Sequence, residues 1–118
     1  MSGLARHIAG HAAEEFVARA YAARGAEILA LRHRNAAGEI DLILRDGPAT
    51  VFVEVKVRGT LDAAAHAISP RQWARIADAA QIYLAETFGA AATEMRFDAA
   101  LLDRQGNLKI IENAAEFE

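Results

Sequence analysis

The chain has 118 residues, enough for one compact domain and too few for two ordinary ones. It contains no cysteine, which excludes disulfides, zinc ribbons and thiol catalysis, and no apolar run approaches the roughly 18 residues a membrane span needs. The formal net charge is −3, unevenly spread: residues 1–75 hold ten Lys/Arg against eight Asp/Glu, and residues 76–118 hold three against eight, so any nucleic-acid surface is expected on the first two-thirds.

Hydrophobic residues make up 53% of the chain, so a single domain over residues 1–118 can bury a core. The start carries Arg6, His7, Glu14 and Glu15 in place of an apolar signal segment. A cytoplasmic protein without membrane association is therefore expected.

Residues 5–24 predict a helix, because Ile8, Ala12, Ala13, Phe16, Val17, Ala20 and Tyr21 recur at helical spacing and Gly25 can end it. Residues 26–34 predict a strand that finishes in Arg32, His33 and Arg34. Residues 38–45 and 50–58 are rich in branched apolar side chains and flank Asp46-Gly47-Pro48-Ala49, a turn signal, so they predict a hairpin. Residues 59–68 predict a loop. A second helix is expected from Ser69 as N-cap, with Pro70 in the first helical position and Gln72 completing a capping box. Trp73, Ile76, Ala77, Ala80 and Leu84 form its apolar stripe and Gly89 its stop. Strands at about 94–102 and 107–112 complete an α/β order of α-β-β-β-α-β-β.

Side chains alternate faces along a strand. Ile40, Leu42 and Leu44 are expected on one face of the second strand, with Glu39, Asp41, Ile43 and Arg45 on the other. A loop over residues 46–49 sets Arg45 opposite Thr50, which in turn sets Asp41 opposite Glu54 and Glu39 opposite Lys56. Facing carboxylates repel, since Cβ atoms of opposite residues lie about 4.5–5.5 Å apart. A divalent cation removes that cost, and Mg²⁺ (or Mn²⁺) is commonly held by one or two carboxylates plus waters and a substrate phosphate. Lys56 points into the same place. It is one of only two lysines beside eleven arginines, and it interrupts a run of valines. These parts suit phosphodiester hydrolysis, in which the cation polarises a phosphoryl oxygen and activates water and the lysine orients that water or steadies developing charge. An exposed polar face with a cross-strand ion pair is the plainer alternative for a Glu-x-Lys in a strand.

Gly38-Glu39-Ile40-Asp41-Leu42-Ile43, then Phe52-Val53-Glu54-Val55-Lys56 and Arg58, with Arg96-Phe97-Asp98 further on, resemble the bacterial YraN family of small endonuclease-like proteins. The resemblance spans about residues 10–100. That family is similar to archaeal Holliday-junction resolvases and sits with the PD-(D/E)xK nucleases. The resemblance implies a restriction-endonuclease-like mixed β-sheet flanked by helices, with a metal site at its centre. It maps the core pattern onto Asp41, Glu54 and Lys56, and the first-helix carboxylate best onto Glu15. Counting back from Gly25 favours Glu15 over Glu14, while helical periodicity does not decide between them. Two positions depart from the pattern: Glu14 stands where the family has glycine, and Gln72 where it has lysine.

Arg71 and Arg75 fall in the first turns of the second helix, where free N–H groups suit a phosphate; a solvated helix face is the alternative. Arg34 matches a basic position of the family, and Arg58 extends the Lys56 face toward a phosphate or a surface ion pair. His7 and His11 stand four apart on a helix without an evident third ligand, so a helix surface is expected there. Trp73 is expected in the core, and Asp98 outside the inner site. The leading expectation is a Mg²⁺-dependent endonuclease acting on DNA, branched intermediates included, with Asp41 and Glu54 on the metal, Glu15 assisting and Lys56 catalytic. A nucleic-acid-binding module without cleavage and a protein-interaction domain with a vestigial site are the alternatives. A resolvase acts on two strands, so on that reading a symmetric homodimer is expected.

Overall fold

Branched apolar residues at period two and small apolar residues at helical period call for helices laid on a sheet. The computed structural model, which describes residues 11–89 and 94–115, has that form. Helix α1 (His11–Ala23) is followed by strands β1 (Glu27–Asn35), β2 (Gly38–Asp46) and β3 (Ala49–Val57), helices α2 (Leu61–Ala65) and α3 (Pro70–Phe88), and strands β4 (Glu94–Leu102) and β5 (Leu108–Ile111). The expected order holds with one addition. The stretch 59–68, expected as a loop, contains α2, because Thr60 caps it by accepting the Ala63 N–H at 3.1 Å and three alanines favour the helix. Residues 5–10 of the expected first helix, His7 among them, lie outside the described residues.

The five strands form one sheet in the order β1-β2-β3-β4-β5. The β1-β2-β3 and β4-β5 neighbours are antiparallel and β3-β4 is parallel. The parallel step requires a long crossover, which α2 and α3 supply. This mixed sheet flanked by helices is consistent with a restriction-endonuclease-like fold. Among the described residues, no helix is long and apolar enough to cross a membrane.

Each face of the sheet carries its own apolar layer. On one, α1 sets Ala13, Val17 and Tyr21 against Leu42, Leu44, Val51, Val53 and Leu102. On the other, α3 sets Trp73, Ile76, Ala79 and Ala80 against Ile43, Phe52, Phe97 and Leu101. Trp73 is buried, edge-on to Phe97. Ile40 packs in the α3 layer, although simple alternation puts it with Leu42 and Leu44. The cause lies at Asp41 and its neighbour across the ladder. Arg32, which falls across from Asp41 between the Leu31–Leu42 and His33–Ile40 pairs, adopts φ 52°, a left-handed conformation unusual for a side-chain-bearing residue. The strands are distorted there, and the period-two rule breaks.

Asp98 is fully buried on β4 and satisfied by a network. Its carboxylate accepts from the Tyr21 hydroxyl at 2.8 Å, from Arg96 at 2.9 and 3.1 Å, and from the Asn113 N–H at 3.0 Å. Arg96 also reaches Asp46 at 3.0 Å. Burial, followed by the Asp98 charge, pushes the Tyr21 phenol well above its usual range. Asp98 thus joins α1, β4 and the chain after β5.

Candidate active site

The hairpin register expected from the turn is present. Leu42, Ile43, Leu44, Arg45 and Asp46 face Val53, Phe52, Val51, Thr50 and Ala49. The paired ladder ends at Leu42 and Val53, one step short of the carboxylates. Beyond it, the Asp41 side chain does a strand's work, accepting the Val55 N–H at 2.8 Å. The expected Glu39–Lys56 facing pair does not form. Glu39 instead meets Arg34 across the β1 side at 3.6 Å, and Lys56 turns to Glu54, with Nζ 3.2 Å from Oε2.

Where β2 and β3 part there is a cavity of about 680 Å³. Asp41, Glu54 and Lys56 line it from the strands, Ala13 and Glu14 from α1, and Gln72, Arg75 and Ile76 from α3. Arg34, Glu39 and Arg58 reach its margin. Glu54 is buried at 6% exposure. Desolvation, followed by the Glu54 charge, pushes the Asp41 carboxyl up to about 7, against the Val55 N–H and the Lys56 ammonium, which favour its charged form.

The structure does not bring Glu15 to this cavity. Glu15 is exposed, and Glu14 is the helix carboxylate that lines it. Glu14 accepts from Arg32 at 3.1 Å, while burial pushes its carboxyl up and the Asp41 charge adds to that rise. A sharper reading of the helix would have found Glu14. It sits three and four residues before the buried Val17 and Ala18, whereas Glu15 precedes the exposed Arg19 by four. Including Phe16 and Ala20 in the apolar stripe blurred that edge.

Of the four expected phosphate-binding arginines, Arg34, Arg58 and Arg75 face the cavity, and Arg71 is exposed away from it. Arg34 is 76% exposed at the mouth. Arg75 depends on Gly38, whose φ is +150° and where a Cβ would stand 3.2 Å from Arg75 Cγ. Glycine therefore lets the arginine stem lie along β2 on its way to the cavity.

Gln72 is the residue whose role the sequence misread. Ser69 does cap α3, accepting the Gln72 N–H at 3.1 Å. The side chain, however, does not close the expected capping box: Gln72 Nε2 donates to Glu54 Oε2 at 2.6 Å. No local pattern signals that contact, because it joins residues 18 apart.

Two neighbouring carboxylates, one of them driven toward its neutral form by burial and then by the other's charge, fit a divalent cation, which removes the same repulsion as a proton does. Among the described residues, no three His, Asp or Glu side chains are grouped to hold a metal ion. A cation there would rest on one or two carboxylates, with waters completing its shell.

Fold and site together define a mixed α/β protein whose central strands part into a carboxylate- and lysine-lined cavity between two helical layers. The chain belongs to the uncharacterised protein family UPF0102, whose model matches residues 13–102. A UPF0102 protein of Cereibacter sphaeroides is 49% identical over 114 residues, 97% of each chain. One of Ruegeria pomeroyi is 46% identical over 112 residues, covering 95% of this chain and 91% of that protein. One of Azorhizobium caulinodans is 44% identical over 114 residues, covering 97% and 87%. The family resemblance drawn from the two hairpin motifs is thereby borne out at the level of the family.

Proposed function

We propose that this protein is a Mg²⁺- or Mn²⁺-dependent endonuclease of the PD-(D/E)xK kind that hydrolyses phosphodiester bonds in DNA. The observation that carries this reading is the convergence of Asp41, Glu54 and Lys56 in one cavity bordered by arginines. Asp41 and Glu54 would hold the cation, with Glu14 beside them. When bound, the cation supplies Lewis-acid polarisation of the scissile phosphate.

The chain's own groups account for the rest. Arg75, Arg58 and Arg34 offer guanidinium donors suited to flanking phosphates. The Lys56 ammonium, held beside Glu54, can donate to the attacking water or to a phosphoryl oxygen as charge builds there. Water attacks phosphorus, the P–O bond to the leaving nucleotide breaks, and the departing oxygen takes up a proton.

A second reading has one observation in its favour. Glu54 already receives the charge of Lys56 and the amide of Gln72, so its carboxylate is partnered without a cation, as a nucleic-acid-binding module without cleavage would need. Incubating the protein with branched and linear DNA, with Mg²⁺, Mn²⁺ or EDTA, separates the two. The endonuclease predicts metal-dependent products that Asp41→Ala abolishes while the fold persists. Products retained by Asp41→Ala, or DNA bound without any metal-dependent product, would overturn it.

A further inference from the structure

We infer that Gln72 is a positioning residue that aims Glu54 at the cation without competing with it, an inference that rests on the metal-site reading above. Three observations support it. Gln72 Nε2 donates to Glu54 Oε2 at 2.6 Å, a short contact for an amide donor. Lys56 Nζ approaches the same Oε2 at 3.2 Å, so both contacts converge on one oxygen and define the rotation of the carboxylate. Finally, Gln72 gives its side chain to Glu54 although Ser69, three residues away, offers the local partner of a capping box.

The donor's charge matters. Glu54 is buried and already faces one ammonium, that of Lys56. Lysine, which stands at this position in the family pattern, would add a donor and a second charge at once. A neutral amide fixes the orientation and leaves the negative charge in place. The backbone of Gln72 is itself held by Ser69 Oγ at 3.1 Å, so the donor sits on the first turn of α3, a rigid element, and its reach to Glu54 is set by the docking of that helix.

The test is Mn²⁺ titration calorimetry on the full chain, paired with thermal melts in EDTA, for the parent, Gln72→Met and Gln72→Lys. Methionine keeps the bulk and removes the donor. Loss of a group that orients a metal ligand typically weakens affinity about 10–100-fold, and Gln72→Met is expected at the lower end of that range with a melting temperature close to the parent's. Gln72→Lys, which restores a donor at this position, is expected to bind Mn²⁺ more tightly than Gln72→Met. A role in packing alone would move stability and affinity together, so affinity lost at an unchanged melting temperature in Gln72→Met and recovered by the donor of Gln72→Lys marks the positioning role. If the parent binds Mn²⁺ and both variants bind it equally well, the inference falls and the metal site stands. If the parent binds no Mn²⁺, even with a noncleavable DNA present, the metal-site reading falls and takes the inference with it.

Discussion

Asp41→Asn should make the metal-free protein more stable at alkaline pH, and the gain follows from the geometry around Asp41. The asparagine oxygen can still accept the Val55 N–H that Asp41 accepts at 2.8 Å, so the substitution removes the charge and keeps the bond. The Asp41 carboxyl is pushed from 3.8 to about 7. Below the lower value, folded and unfolded chains both hold the proton and stability is unaffected. Between the two values the folded chain keeps a proton that the unfolded chain releases, so stability falls as pH rises, and it levels off above about 7. At 1.36 kcal/mol per unit the whole shift amounts to about 4 kcal/mol. The cavity opens to solvent, which screens the pair, so the part visible between pH 5 and 8 is ~1–2 kcal/mol. For a chain of this size that corresponds to roughly 4–8 °C in melting temperature. Calorimetric melts in EDTA at both pH values provide the assay. The advantage of Asp41→Asn over the parent should be small at pH 5 and grow by that amount at pH 8. In excess Mn²⁺ at pH 8 the order should reverse, because only the parent gains binding energy on the folded side. A pH-independent difference, or a mutant less stable at pH 8 than at pH 5 by as much as the parent, would refute the account of the raised Asp41 carboxyl.

Two further outcomes follow from the placement of α1 and β4. Glu14→Gln should reduce Mn²⁺ affinity several-fold by calorimetry, whereas Glu15→Gln, on the exposed side of the same helix, should leave it unchanged; the opposite pattern would restore Glu15 as the helix carboxylate. Tyr21→Phe removes a hydroxyl donor from the fully buried Asp98 and should cost ~1–3 kcal/mol in urea unfolding, while a variant as stable as the parent would mean that Arg96 and the Asn113 N–H satisfy Asp98 alone.

Much of this architecture is legible in the chain because the signals are local. Gly25 and Gly89 stop their helices, Ser69 starts one, and the turn at residues 46–49 fixes the hairpin register that carries Asp41 toward Glu54. Several misreadings arise where a contact between elements overrides a local rule, and others lie in local signals that were too weak to stand out. Ile40 changes layers because the strands distort around Arg32 and Asp41. Glu39 pairs with Arg34 instead of Lys56 because the β2–β3 ladder ends at Leu42 and Val53. Gln72 leaves its capping box for a carboxylate on another element, and α2 forms where a single threonine cap and three alanines suffice. Glu14 was readable from the spacing of Val17 and Ala18, but only with a narrower stripe than the sequence's many alanines suggest.

The cavity draws its parts from both helical layers, Glu14 from α1 on one side and Gln72 and Arg75 from α3 on the other. This has a kinetic side. Layers that bury separate apolar clusters can open separately, as cooperative units of local unfolding. An excursion that lifts α1 alone would strip Glu14 from the cavity and from its partner Arg32 on β1 while Asp41, Glu54 and Gln72 stay assembled. An excursion of α3 would release the Glu54 side chain and leave the α1 carboxylate in place. With independent openings the two halves of the site would have separate lifetimes, and a substrate that spans the cavity would tie them together, slowing amide exchange in α1 and α3 at once.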